Sequence, residues 1–223
     1  MFNDIVIGPI TIHMYGVMIA AGFLAALLMT LRWGKKRGYD EDIIWGIFFC
    51  AIIGGMLGTR ILYYIVEIPE IIKDPSILWN FKNGYVVYGG IIGGILVSWV
   101  YCRIKKVSFI EYFDLVMPAV ALAQGFGRIG CFFAGCCVGM RYQGPGSIRY
   151  LDNGAAGEYL FPVQLAETIL FLLAFLLLHR MAERKRNGII PKSLLLYAIL
   201  KFVLDYLRYY EDRKIFSANQ WGC

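Results

Sequence analysis

The chain has 223 residues with a formal net charge of +6 at pH 7, and 59% of its residues are hydrophobic while 17% are charged. Soluble domains carry about 45–50% apolar and about 25% charged residues, so this composition, with a mean hydropathy of +0.60, excludes an ordinary soluble domain and predicts a polytopic membrane protein. Basic patches interleaved with aromatic residues are absent from the sequence, which argues against nucleic-acid binding.

Apolar segments of near-spanning length recur along the chain. A spanning helix needs about 20 mostly apolar residues, and six segments approach this length, at about 11–31, 43–66, 85–101, 112 into the glycine-rich stretch 125–139, 162–178 and 193–207. The first segment follows a start without a basic n-region, so we expect it to remain in the mature protein. The predicted fold is an all-α bundle of about six transmembrane helices, forming a single domain over residues 1–223.

The basic residues predict the orientation of these helices. They crowd the loops after the first, third and fifth segments, as Arg32, Lys35, Lys36 and Arg37, then Arg103, Lys105 and Lys106, then Arg180, Arg184, Lys185 and Arg186. By the positive-inside rule these loops face the cytoplasm. The N-terminus, the C-terminal tail and the stretch 125–139 are then expected on the outer side.

Polar residues inside the apolar segments are the candidate functional groups. Polar groups in lipid need internal partners, and ionisable residues at membrane depth mark functional sites. The candidates are His13, Tyr15, Arg60, Tyr88, Asp114, Gln124, Arg128, Gln164, Glu167, Lys201 and Asp205. Most lie in the outward halves of their segments, which predicts a polar cavity open to the outer leaflet. Snorkelling to the nearer interface is the alternative for His13 and Arg60.

Arg128 is the strongest of these candidates. It lies among glycines and cysteines at the end of an apolar segment, and a guanidinium binds phosphate oxygens bidentately. We therefore expect Arg128 to hold the phosphate of a phospholipid headgroup. In the last segment Tyr197, Lys201, Asp205 and Arg208 share one helix face, either as a plain Lys201–Asp205 ion pair or as a functional face, which intramembrane charges favour.

Glycines and cysteines allow more than one interpretation. Clustered glycines are typical of close helix packing, and Gly89 and Gly90 would also leave room for a headgroup. Cys131, Cys136 and Cys137 would ligate a metal, form a disulfide or fill space. A second ligand pair with zinc-site spacing is missing from the sequence, so the pattern gives a metal site only weak support, and thiol redox chemistry is the main alternative.

Several ordered segments together resemble the bacterial prolipoprotein diacylglyceryl transferase family along nearly the whole chain. The matching landmarks are Ile7-Gly8-Pro9-Ile10, His13-Met14-Tyr15-Gly16, Gly58-Thr59-Arg60-Ile61, Tyr88-Gly89-Gly90, Gly127-Arg128-Ile129-Gly130, Pro162 with Gln164, Leu165 and Glu167, and Tyr197. The resemblance implies transfer of a diacylglyceryl group from phosphatidylglycerol to the lipobox cysteine of prolipoproteins, with release of glycerol 1-phosphate. It also implies a multi-pass inner-membrane enzyme without metal or cofactor, whose active site faces the outer leaflet.

The chain also departs from the family pattern. Tyr88 replaces the family's essential histidine, Cys131, Ala134 and Cys136 replace two asparagines and a glutamate, and Lys201 and Asp205 stand where Arg and Glu are usual. Phe161 and Ala166 replace a usual His and Tyr. The family has a seventh span that begins near a Ser-x-x-Gln stretch, whereas the given sequence ends shortly after its own Ser217 to Gln220 stretch.

The roles implied by the resemblance follow from these positions. Arg128 would bind phosphate with Arg60 or Lys201, and Gly89, Gly90 and Gly130 would make room for the headgroup. Tyr88, Tyr15, Asp205 or the departing phosphate would act as base, with His13 a further candidate. Other residues expected in the polar cavity are Gln164, Glu167, Tyr197 and Arg208. The competing hypothesis is a non-transferase relative, a thiol-redox or lipid-binding membrane protein that uses the three clustered cysteines; a transporter is disfavoured because no internal repeat is evident.

Overall fold

The computed structural model describes residues 4–7, 10–75, 78, 86–149, 157–184 and 188–208. In chain order these form β1 (Asp4–Ile7), β2 (Ile10–His13), α1 (Met14–Arg37), α2 (Glu41–Val66), α3 (Ile68–Lys73), α4 (Val87–Ile104), α5 (Phe109–Ala134), β3 (Ile148–Arg149), β4 (Tyr159–Leu160), α6 (Val163–Arg184) and α7 (Ile189–Asp205). The predicted all-α membrane architecture is confirmed. The strands form two small antiparallel hairpins, β1 with β2 and β3 with β4.

Within these residues, five helices are long and apolar enough to cross a membrane, namely α1, α2, α4, α5 and α6. Their outward surfaces stay apolar: Leu24, Phe49, Ile92 and Leu173 are all more than half exposed, as expected of side chains that face lipid. Helix α7 corresponds to the sixth predicted span. Its 17 residues extend about 26 Å, slightly less than a hydrocarbon core of about 30 Å.

The start of the first span is a correction to the sequence analysis. The predicted helix began at residue 11, but α1 begins at Met14, and residues 10–13 form β2, in which His13 pairs with Asp4. Alternating β-branched residues favour a strand there. His13 is therefore an exposed strand residue rather than part of a span. Gly8 and Pro9 of the opening landmark, Tyr85 at the predicted start of the third span, and the 217–220 stretch lie outside the described residues.

Two compact units divide the chain: one comprises Met1–Thr30 with Phe113–Cys223, and the other comprises Leu31–Tyr112. The chain passes from one unit to the other within α1 and again within α5. The prediction of a single domain stays a prediction. We describe each unit by itself.

In the second unit, α2 and α4 pack through glycines at close range. A Cβ on Gly89 would collide with the carbonyl oxygen of Gly58, and a Cβ on Gly93 would collide with that of Gly54. Only glycine permits this backbone approach. Gly90 faces Thr59, whose Cγ2 would lie 2.7 Å from an added Cβ. Gly89 and Gly90 thus serve helix packing within this unit.

In the first unit, α5, α6 and α7 share an apolar core made of Met117, Leu178, Ala182 and Ile189. Asp114, 4% exposed, accepts hydrogen bonds from the backbone N–H groups of Gly188 at 2.8 Å and Ile190 at 2.7 Å. These are orphan donors at the start of α7, and a carboxylate there also complements the helix dipole. Asp114, a candidate functional residue by sequence, therefore caps α7 from α5.

Candidate active site

Glu167 is the centre of a buried charge cluster in the first unit. Its side chain is 0% exposed on α6, and its carboxylate receives Arg128 Nε at 3.0 Å and Arg208 Nη2 at 3.0 Å, with Lys201 Nζ at 4.0 Å. The three cations come from α5, from α7 and from the residues just beyond α7. A buried carboxylate is tolerated only when it is paired in this way.

The cluster carries more positive than negative charge. Arg128, Lys201 and Arg208 share Glu167, and Asp205, 2% exposed, is the other buried acid close enough to act electrostatically on Lys201. Three cations therefore face two carboxylates. Arg128 contacts Glu167 through Nε, so this ion pair does not use its two terminal amino groups. The arrangement suits an anionic ligand with oxygens to share.

Glycines let α5 hold Arg128 between two neighbouring helices. On one side Gly125 approaches α6, where Thr168 Oγ1 donates to the Gly125 carbonyl at 3.4 Å. On the other side Gly130 approaches α1, where an added Cβ would lie 3.2 Å from both Met18 Cβ and Tyr15 Cδ2. A Cβ at Gly125 would meet Leu172 at an ordinary contact distance of 3.5 Å, whereas a Cβ at Gly130 would require its α1 neighbours to shift slightly.

The polar stripe predicted for the last helix is directed at α6. Phe171 of α6 packs on the Tyr197 ring with centroids 5.9 Å apart, and Lys201 and Arg208 both reach Glu167. Met140 N–H donates to the Leu207 carbonyl at 2.9 Å, which anchors the chain just before Arg208. The stripe therefore contributes Lys201 and Arg208 to a charge cluster shared between helices, and its functional role stays a prediction.

The three cysteines meet because α5 ends in a tight left-handed turn. Gly135 has φ +64°; its N–H donates to the Phe132 carbonyl at 3.2 Å, and the Cys136 N–H donates to the Cys131 carbonyl at 3.1 Å. This pattern is a Schellman motif. It turns the chain back over its own last turn, and the Sγ atoms of Cys131, Cys136 and Cys137 all lie within 4.8 Å of one another.

The groups around Cys137 change the pKa of its thiol. Hydrogen bonds from the Cys131 and Cys136 thiols lower the pKa of the Cys137 thiol, with smaller contributions from Arg208 and Arg128. The Gln164 side chain on α6 donates to the Cys136 carbonyl at 2.8 Å, so this hydrogen bond connects the turn to α6. Gln164 thus lies beside the three cysteines, and its predicted place in a substrate cavity stays a prediction.

Tyr15 is one of the predicted bases that lie in the same unit as Arg128. It is 44% exposed at the start of α1, and its ring packs beside Gly130. It is near enough to Cys131 and Arg128 to interact with them electrostatically. Asp205, another candidate base in this unit, is buried at the end of α7.

The remaining predicted site residues belong to the second unit. Arg60 is buried on α2, with its guanidinium over the ring of Tyr64 at 5.2 Å and that of Tyr63 at 5.9 Å. Tyr88 is 69% exposed in the first turn of α4, next to the packing glycines Gly89 and Gly90. Participation of Arg60 and Tyr88 in the site stays a prediction.

Sequence reasoning underestimated Glu167 and Arg208. Both were expected in a polar cavity, but neither was assigned the central role that their contact at 3.0 Å gives them. The available signal was the spacing of Gln164 and Glu167, which places two polar side chains on one helix face within an apolar segment.

Known proteins resemble the chain over most of its length. It matches the prolipoprotein diacylglyceryl transferase family over residues 4–223. It is 42% identical over 201 residues to the phosphatidylglycerol–prolipoprotein diacylglyceryl transferase of Clostridium tetani, covering 88% of this chain and 81% of that protein. It is 40% identical over 213 residues to phosphatidylglycerol–prolipoprotein diacylglyceryl transferase 2 of Clostridium perfringens, covering 92% and 83%.

Proposed function

Because the chain belongs to the prolipoprotein diacylglyceryl transferase family, we propose that it transfers the diacylglyceryl group of phosphatidylglycerol to the lipobox cysteine thiol of prolipoproteins. The observation that carries this proposal is the cation-rich cluster around Glu167, in which Arg128 and Arg208 are each 3.0 Å from the carboxylate. Excess positive charge in a membrane helix bundle needs an anionic partner, and the headgroup phosphate supplies one.

In the proposed reaction the lipobox thiolate attacks the carbon of the diacylglyceryl group that is esterified to the phosphate. A C–S bond forms as the C–O bond breaks, and glycerol 1-phosphate leaves with the bonding electron pair. Negative charge therefore grows on the phosphate during the reaction, and Arg128, with Lys201 and Arg208 behind it, stabilises that charge. The attacking group is the thiolate, so the thiol proton has to leave first. The candidate acceptors are Tyr15, Asp205, Tyr88 and the departing phosphate, with His13 a further candidate.

The cluster has an internal reason to be held rigidly. Glu167 ties cations from separate elements to one buried point, which fixes the Arg128 guanidinium before substrate arrives. Stabilisation of a developing charge costs least when the groups that provide it are already oriented. Glu167 is a positioning residue in this proposal, whereas Arg128 contacts the substrate.

We place the enzyme in the bacterial cytoplasmic membrane with its N-terminus and active site on the outer side. The support is the basic crowding of alternate loops, which the positive-inside rule assigns to the cytoplasm. Phosphatidylglycerol and the lipobox segment then reach the site from the outer leaflet. The alternative of a thiol-redox or lipid-binding relative is not favoured, since relatives at 40–42% identity carry the transferase name.

The test is mass spectrometry of a lipobox peptide incubated with the purified protein in phosphatidylglycerol-containing liposomes. We expect the peptide to gain one diacylglyceryl unit, and Arg128→Ala to reduce the rate by at least about 100-fold, as loss of a charge-stabilising donor does elsewhere. Arg141→Ala is the matched control, because Arg141 pairs with Glu158 at 2.6 Å on the exposed surface. An unmodified peptide with the unaltered protein would refute the function; full activity of the Arg128 variant would refute the role of that arginine.

A further inference from the structure

We propose that Cys131, Cys136 and Cys137 form a three-thiolate binding site for a thiophilic d10 metal ion of the zinc(II) or copper(I) class. The argument begins from the three Sγ atoms, which lie within 4.8 Å of one another. At a metal–sulfur distance of about 2.3 Å, two thiolates on one tetrahedral ion are separated by about 3.8 Å. The thiols thus need to move by only about 1 Å to surround an ion at that distance.

The sequence argued against a metal because the cysteines lack zinc-finger spacing and a second ligand pair. Spacing rules of that kind assume that the ligands lie on a turn or along one helix. Here the Schellman turn at Gly135 supplies the missing geometry, because it reverses the chain and sets Cys136 and Cys137 against Cys131. Cys137 adopts φ +55°, a left-handed conformation that is uncommon for a non-glycine residue and that concentrates at functional sites.

Two cations lie close to the three sulfur atoms. Arg128 and Arg208 are both near enough to Cys137 to act on it electrostatically. Three thiolates with one zinc ion carry a net charge of −1, and with copper(I) they carry −2, so the loaded site is attracted to these arginines. Soft thiolate ligands select zinc and copper(I) over magnesium, calcium or manganese.

Access and coordination number also fit. Cys131 is buried while Cys136 and Cys137 are exposed, so an ion can enter past the two exposed cysteines and then bind the buried one. Among the described residues, no fourth His, Cys, Asp or Glu belongs to the group, and Glu167 is already shared by the cations. Zinc held by three protein ligands keeps its fourth position for an external ligand.

The experiment uses the full-length protein, purified in detergent with a non-coordinating phosphine reductant. Aliquots are incubated with Zn²⁺, or with Cu⁺ under anaerobic conditions, then desalted and analysed for metal by inductively coupled plasma mass spectrometry. Co²⁺ is used in parallel, because thiolate ligation gives an intense near-ultraviolet charge-transfer band that no carboxylate site produces. We expect about one ion per chain, as for a single three-ligand site; the ion retained identifies the metal.

Two variants decide the assignment. Cys136→Ser with Cys137→Ser leaves buried Cys131 in place, so the fold is retained, and it should lose the ion and the cobalt band. Cys50→Ser is the control, since this half-buried cysteine lies in the second unit, and it should keep both the ion and the cobalt band. Metal content that is equal in the two variants, or an unaltered protein that retains none, would overturn the proposal. Neither readout depends on transferase activity, so loss of the site and loss of the proposed function are distinguished.

Discussion

Replacing Glu167 by glutamine tests whether the buried charge cluster is organised by that carboxylate. Glu167→Gln keeps the size of the side chain but removes the charge that Arg128, Arg208 and Lys201 share. Glu167 is 0% exposed, and the three cations have side-chain exposures of 13%, 12% and 15%. The variant therefore leaves several cations without their carboxylate in a site that water hardly reaches.

The size of the effect follows from burial. Breaking a buried pair costs about 3–5 kcal/mol because an uncompensated charge remains, and at about 2–4 °C per kcal/mol for a chain of this length the melting temperature should fall by about 6–20 °C. Glu158→Gln is the control. Glu158 pairs with Arg141 at 2.6 Å, a shorter distance than any in the cluster, yet the two side chains are 38% and 66% exposed, and an exposed pair contributes about 0–1 kcal/mol.

The assay is thermal unfolding of both variants in the same detergent, followed by tryptophan fluorescence, together with the peptide lipidation rate. Glu167→Gln should lower both the melting temperature and the rate, whereas Glu158→Gln should change neither appreciably. If the two variants lost similar stability, burial would not decide the strength of these pairs, and the organising role of Glu167 would be wrong.

Three further outcomes are expected. Asp114→Ala should cost about 1–3 kcal/mol because it leaves two N–H groups at the start of α7 unsatisfied, and it should speed hydrogen exchange there. Asp114→Asn keeps one acceptor oxygen and should cost less. Equal exchange in all three proteins would contradict the capping of α7 by Asp114. Gly89→Ala should destabilise the protein by about 1–3 kcal/mol through overpacking, because the added Cβ meets the Gly58 carbonyl. Gly16→Ala is the control: its Cβ meets nothing within 4 Å, so it should be neutral or stabilising in the same melting assay. Since the pKa of the Cys137 thiol is lowered, its thiolate persists to lower pH than that of an ordinary thiol. Iodoacetamide should therefore label Cys137 in metal-free protein at a pH where glutathione is unreactive. Equal labelling rates of Cys137 and glutathione at every pH would contradict the lowered pKa.

Local patterns in the sequence were enough for the membrane architecture and for part of the site. Apolar length predicted the spans because a lipid environment demands about 20 apolar residues per crossing. Arg128 and the Lys201–Arg208 face were recognisable because a charge at membrane depth is costly and helical spacing is regular. The start of α1 was placed too early, because hydropathy alone does not separate the apolar strand β2 from the helix that follows it.

Contacts between distant segments required the tertiary structure. Glu167 meets Arg208 across 41 positions, and Asp114 reaches Gly188 across 74, and no local periodicity encodes such a partner. The same holds for the glycines at 54, 58, 89 and 93, whose use depends on which helix lies opposite. Asp114 was therefore grouped with the functional acids, although it caps a helix.

The amino-acid sequence by itself determined that this protein lies in a membrane, and it located an intramembrane arginine and a polar face on the last helix. These properties depend on composition and on helical repeat, which are local. Only the tertiary structure decided that Glu167 joins the cations and that Cys131, Cys136 and Cys137 come within 4.8 Å of one another. The physical reason is that both clusters depend on contacts between segments. The cysteines meet through the left-handed turn at Gly135 that ends α5, and the charged side chains meet because α5, α6 and α7 pack closely.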